Sequence, residues 1–130
     1  MRRLALLVLP LLAAGCIAAN RPPALLADSS WRLIAIDGQP AALLDQAGIA
    51  FTNETVSASV GCNRMGGAYR VERQRLFAGP LVQTEMYCEG AVWGQEQALS
   101  ALLAGAPQID LSAERLTLVS SGHRAEFSRI

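Results

Sequence analysis

Few side chains in this sequence are equipped for chemistry. There is a single His, His123, and there are three Cys, at positions 16, 62 and 88. His123 lies in Ser120-Ser121-Gly122-His123-Arg124, a turn-forming composition that favours a surface imidazole over a catalytic base. Ser121 beside it makes no triad, because nucleophile, base and orienting acid must converge in space and no Gly-x-Ser-x-Gly elbow is present. Glu85 and Glu89 would share a face only if a helix began before them, where they would repel. No catalytic residue is therefore assigned. Two Cys and one distant His, without Cys-x-x-Cys, make a poor zinc ligand set, so neither metal nor cofactor is expected. Gly61, Gly66 and Gly67 superficially resemble a phosphate loop, yet Ala68 stands where that loop needs Lys and no Ser or Thr follows for magnesium. The formal charge is zero, from 11 basic residues, all of them Arg, and 11 acidic ones. That balance argues against nucleic acid as a partner, since such binding is driven by Lys and Arg neutralising phosphates.

The cysteines divide into two kinds. Met1-Arg2-Arg3 is a short basic start, Leu4 to Leu12 is an apolar run interrupted by Pro10, and Ala13-Ala14-Gly15 supplies small residues before Cys16. The apolar run is about half the roughly 20 residues that span a bilayer. Together these features predict a secretory signal peptide over residues 1–15. A thiol directly after Ala14-Gly15 resembles the lipobox of bacterial lipoproteins, with Cys16 as the acylated residue, although Ala13 stands where Leu is commonest. Ile17 replaces the Asp that usually retains such proteins in the inner membrane. The resemblance thus implies an outer-membrane lipid partner and a domain facing the periplasm. Cleavage leaves residues 16–130, with nine Arg against eleven acidic groups and a net charge of −2. The positive mean hydropathy of +0.27 comes largely from the removed segment. Residues 16–30, with Pro22-Pro23 and no periodicity, read as a tether reaching roughly 20 Å; the domain is expected over 31–130.

Cys62 and Cys88 are the other kind. Two thiols in an exported domain pair in an oxidising compartment. Closing a loop of this size stabilises the fold by about 3 kcal/mol in the chain-entropy account.

The elements that position these residues alternate mostly with period two. Trp31 to Ile36 is a β-rich run stopped by Asp37-Gly38, a tight-turn pair. Gly48–Thr52 and Thr55–Val60 flank Asn53-Glu54 as a hairpin, with Val56, Ala58 and Val60 on one face and serines toward water. Ala68 to Glu72 alternates after Gly66-Gly67, which with Gly61 bracket a turn containing Asn63. Arg115–Val119 and Arg124–Ser128 form a second hairpin. Between about Gly90 and Ala104, Val92, Leu99, Leu102 and Leu103 recur at helical spacing, with Glu96, Gln97 and Ser100 on the other side and Gly105 as stop. Trp31 and Trp93 read as core anchors. Many short strands and one amphipathic helix predict a mainly β, antiparallel α+β fold: a curved sheet or partly open (cracked) barrel whose gap the helix covers.

Gly61-Cys62-Asn63-Arg64 with Gly66-Gly67 and Tyr69, then Gln83-Thr84-Glu85-Met86-Tyr87-Cys88, Glu96 and Leu99, and finally Gln108 to Leu111 and Leu116 to Leu118, resembles the META domain family from Trp31 onward. The resemblance implies a small, mostly antiparallel β structure with one helix, similar to the cracked barrel of certain secretin pilot lipoproteins. It also implies no established catalytic site and links to heat-shock response, drug resistance, and virulence or secretion. Gly61, Asn63, Arg64, Gly66 and Thr84 are its motif residues and the candidates for binding. The expected function is a non-enzymatic outer-membrane lipoprotein of envelope stress or drug tolerance that binds a protein, lipid or small molecule. The alternative is a pilot chaperone or an inhibitor of an envelope-attacking enzyme. A large apolar groove beside the helix would favour tail or lipid binding; a protruding polar loop at Asn63 and Arg64 would favour inhibition.

Overall fold

The computed structural model describes residues 23–130. The expected signal segment and Cys16 lie outside the described residues. Ten strands and one helix follow in order: β1 (Ser29–Ile36), β2 (Gln39–Pro40), β3 (Gly48–Phe51), β4 (Thr55–Ser59), β5 (Arg64–Glu72), β6 (Arg75–Ala78), β7 (Val82–Gln83), α1 (Ala91–Ala104), β8 (Gln108–Leu111), β9 (Arg115–Ser120) and β10 (His123–Arg129). Neighbouring strands run antiparallel, in the order β1-β3-β4-β5-β6-β8-β9-β10, and β10 returns to pair with β1. Eight strands thus close a mainly β barrel, with β2 and β7 added outside the ring on β1 and β5. Closure removes sheet edges, the sites at which foreign strands add.

Period-two alternation puts every second side chain inside. Val56 and Ala58 of β4 are buried while Ser57 and Ser59, which alternate with them, are half-buried, and Leu116 and Leu118 of β9 flank Thr117 in the same way. In β1 the phase changes: Trp31 and Leu33 point inward, but so does Ile36, an odd number of residues after them. A bulge between Leu33 and Ala35 against β10 explains this, since one extra residue flips the side chains that follow it.

The ring is thinnest between β6 and β8, where the register holds one pair, Arg75 with Gln108. Backbone bonds from Leu76 N–H to the Pro107 carbonyl and from Ile109 N–H to the Gln74 carbonyl extend it. α1 packs against β1, β6, β9 and β10, burying Leu99, Leu102 and Leu103. Its last carbonyls, of Ala101 and Leu102, accept the Gly105 N–H. Among the described residues no helix is long and apolar enough to cross a membrane.

Three two-residue turns have both residues at positive φ: Asp37-Gly38, Arg73-Gln74 and Ser121-Gly122. The first and last carry the residue types such turns demand; Arg73-Gln74 does not and is forced into place by the strands it joins.

Three expectations change. The domain begins before Trp31: Leu26 is fully buried, the Ser29 hydroxyl donates to the Leu26 carbonyl, and the Trp31 indole N–H donates to Ser29 Oγ at 2.7 Å. Residues 23–30 therefore belong to the fold, and the rest of the expected tether, residues 16–22, lies outside the described residues. Gly66 and Gly67 lie within β5 rather than in a turn. A Cβ on Gly67 would sit 2.5 Å from the Pro80 carbonyl oxygen, so the glycine permits a close backbone approach. Trp93 is not a core anchor, being 48% exposed, whereas Trp31 is fully buried.

Candidate functional site

The motif residues converge where β4 passes into β5. Gly61 holds the turn at φ 109, and a Cβ there would collide with Leu43. Ser59 fixes the same turn, its Oγ accepting the Gly61 N–H and donating to the Asn63 carbonyl at 2.7 Å. This leaves Asn63 pointing inward, 2% exposed.

Asn63 is the hub of a buried network. Its Nδ2 donates to the Met86 carbonyl at 2.9 Å and to Glu96 Oε2 at 3.0 Å. Its Oδ1 accepts the Thr84 hydroxyl at 3.0 Å and the Met86 N–H at 2.6 Å. Its backbone N–H donates to Glu96 Oε1 at 3.0 Å. Thr84 Oγ1 in turn accepts the Arg64 N–H. No buried side-chain N or O among the described residues lacks a partner, so this polar cluster rigidifies its surroundings rather than straining them. Glu96, expected on the polar side of α1, is 1% exposed and forms the helix's end of the network. Val92, Glu96, Leu99 and Leu103 share one face at steps of four, three and four, so its inward position was readable from spacing.

Cys62 and Cys88, 26 positions apart in sequence, are joined as a disulfide, with Cα atoms 6.2 Å apart. One carboxyl oxygen of Glu96 lies within 4.8 Å of both sulfurs. Metal binding there would need thiolates, which the disulfide removes.

Disulfide and network together fasten the segment from Thr84 to Cys88, which has no partner strand beyond β7, onto the barrel. Clamped in this way, the segment turns large apolar side chains outward: Met86 is 58% and Tyr87 85% exposed, beside Trp93 on the first turn of α1. A groove of about 500 Å³ lined by Asn63, Thr84, Glu85, Met86, Tyr87, Trp93 and Glu96 runs along this surface. Neither Tyr87 nor Trp93 was singled out as a surface residue from the sequence, because large aromatics read as core by default.

The remaining candidates lie apart. Arg64 is exposed and makes no ion pair among the described residues. Gly66 faces β4, where a Cβ would meet the Val56 carbonyl at 2.9 Å. Glu85 and Glu89 precede α1 and share no helical face. His123 sits at the barrel's surface with Nδ1 2.6 Å from Asp37 Oδ2. The Arg124 N–H and then His123 hold the Asp37 carboxyl below the usual carboxylate range, against a smaller opposing effect of burial. Burial, and then the charge of Asp28, push the Tyr69 phenol up; it donates to the Thr52 carbonyl at 2.6 Å. None of these groups places a nucleophile beside a base.

Known proteins agree with this architecture. Heat shock protein HslJ of Escherichia coli (strain K12) is 28% identical over 122 residues, covering 90% of this chain and 87% of that protein. A protein solved by NMR superposes with a TM-score of 0.70 at 25% identity, covering 79% of this chain and 90% of that one. An NMR structure from Burkholderia xenovorans gives 0.65 at 28% identity over 82% and 84% of the two chains. The family model described as the META domain matches residues 24–130, starting within the stretch that folds ahead of Trp31. With the barrel, the Asn63 turn and the Thr84 segment all inside that match, this chain belongs to the META domain family.

Proposed function

We propose that the protein is a non-enzymatic envelope lipoprotein that works by binding, with Met86, Tyr87 and Trp93 as its contact surface and acylated Cys16 as its outer-membrane anchor. The observation that carries the reading is a contrast. The side chains beneath the surface are fully paired and cross-linked, while those on it are large, apolar and left in water. Such preorganised exposed aromatics mark interaction sites, because ordering them has already been met by folding. The heat-shock name of HslJ supports a role in envelope stress.

Register supports an orientation. Ser29 pairs with Phe51, and Thr55 with Ala68, at one end of the β1-β3-β4-β5 stretch; Gly48, Ser59 and Arg64 align at the other. The chain enters at the Ser29 end, and the Asn63 turn lies on the order of 13 Å away along β4. A tether ending at Pro23 would leave the aromatic surface facing away from the lipid. The alternative of an inhibitor acting through a protruding polar loop loses support, because Asn63 is buried.

The test is in-cell photo-crosslinking with the probe at Trp93, at Tyr87 and, as control, at Arg124. Discrete adducts at the first two positions and none at the third are expected, and Cys16→Ser should shift the protein from the membrane to the soluble fraction. Equal labelling at all three positions would remove the contact surface, and unchanged fractionation would remove the anchor.

A further inference from the structure

Two grooves share Tyr87 and Trp93 in their linings. The first is the one edged by Glu85 and Met86 above Asn63 and Glu96. The second, about 430 Å³, is lined by Tyr87, Cys88, Glu89, Gly90 and Trp93. The two aromatics are thus shared, and each groove contributes one exposed carboxylate, Glu85 or Glu89. No basic side chain lines either groove; Arg64 opens onto other surfaces.

This combination has a sign. The face of an aromatic ring carries negative charge density and attracts a cation within about 6 Å of its centre. Two carboxylates strengthen that attraction. The N-terminus of α1 opposes it with roughly half a positive charge, which two full negative charges outweigh. Exposed Met86 adds a polarisable thioether that suits alkyl groups. Hard inorganic cations are poorly served, since they demand several oxygen ligands in a closed shell, whereas a weakly hydrated alkylammonium needs only apolar faces and a counter-charge.

We propose that Tyr87 and Trp93, flanked by Glu85 and Glu89, bind an organic cation: an alkylammonium group on a compact apolar body. The inference rests on the reading of this surface as a binding site and names the ligand class that the site takes.

The test uses residues 16–130 carrying Cys16→Ser, a chain that contains every described element, in a ¹H–¹⁵N correlation titration with choline chloride at constant ionic strength. The neutral isostere 3,3-dimethyl-1-butanol, in which carbon replaces the ammonium nitrogen, is titrated in parallel. Choline should move the Trp93 indole and Cys88 amide peaks saturably, while the buried Trp31 indole stays fixed and reports an intact core. Tyr87→Ala should weaken choline binding about two- to fivefold, the range for one exposed cation–π contact. Glu85→Gln with Glu89→Gln should weaken choline and leave the alcohol unchanged. Equal affinity for the two isosteres, or no saturable shift with choline, would overturn the proposal. Crosslinks at Trp93 without a choline shift would sink the cation and leave the binding surface standing; loss of both would remove both.

Discussion

Asn63 owes its weight to a side chain with two donors and one acceptor oxygen that meets complementary groups on every side. Truncation to Ala removes the partner of a buried Glu96 oxygen and of the part-buried Met86 backbone pair and Thr84 hydroxyl. Leaving a buried group unpaired costs about 1–3 kcal/mol, so Asn63→Ala should lower stability by about 3 kcal/mol in urea denaturation, without a change in the slope. Glu96→Gln should cost nearly as much, because its amide would turn a donor toward Asn63 Nδ2 or the Asn63 N–H. A double-mutant cycle between the two positions should show strong coupling. Asp37 gives a smaller effect that depends on pH. Its folded pKa lies below the ordinary 3.8, so its contribution is complete above that value and is lost as pH falls through the folded pKa. Thermal melts of wild type and Asp37→Asn should therefore differ most well above pH 3.8 and converge as pH falls below it, by a modest amount because the pair is solvent-exposed. At this scale the motif pointed to Asn63 and Thr84, but no reading of residue types alone could pair them with Glu96. That required the helix to be laid against the turn.

The segment between β7 and α1 is held to the barrel by side chains and one disulfide rather than by a ladder. Reducing Cys62–Cys88 restores the freedom of a long loop in the unfolded chain and should lower stability by about 3 kcal/mol. Hydrogen exchange with and without dithiothreitol should show the loss of protection concentrated at residues 84–90, with β1 and β10 unchanged; uniform loss would mean that the staple supports the barrel itself. The hairpins β3–β4 and β9–β10 and the span of α1 were legible because period-two and helical spacing are local signals. The role of Gly66-Gly67 was not. Glycine pairs read as turns until a neighbouring backbone, here at Pro80, is known to need the space that a side chain would fill. The phase of β1 beyond Leu33 was hidden for a similar reason, since a bulge is visible only against the partner strand.

As a molecule, the barrel is closed at its two sequence extremes, β1 against β10, with Leu33 opposite Phe127. Whether the sheet stayed open or closed could not be read from sequence, because that one long-range pairing decides it. The domain boundary was missed by the same logic: Leu25-Leu26 has no strand pattern of its own, and Leu26 counts as core only because Trp31 and Ser29 receive it. A chain beginning at Trp31 should be less stable than one beginning at Pro23 by about 3 kcal/mol, the burial of one leucine plus the Ser29 hydrogen bonds. Equal urea midpoints would return the boundary to Trp31. The β1–β10 seam also governs when folding can happen. A chain delivered from its N-terminus, by a ribosome or through a translocation pore, presents β1 long before its partner arrives, and hairpins alone are marginal in water. Until His123–Arg129 emerges, the ring has a gap, its apolar interior faces water, and no cooperative core exists to resist threading. Closure by the β1–β10 pairing joins the two ends of the described barrel, so it is a long-range contact, the slow kind, and cannot form before the last strand has been delivered.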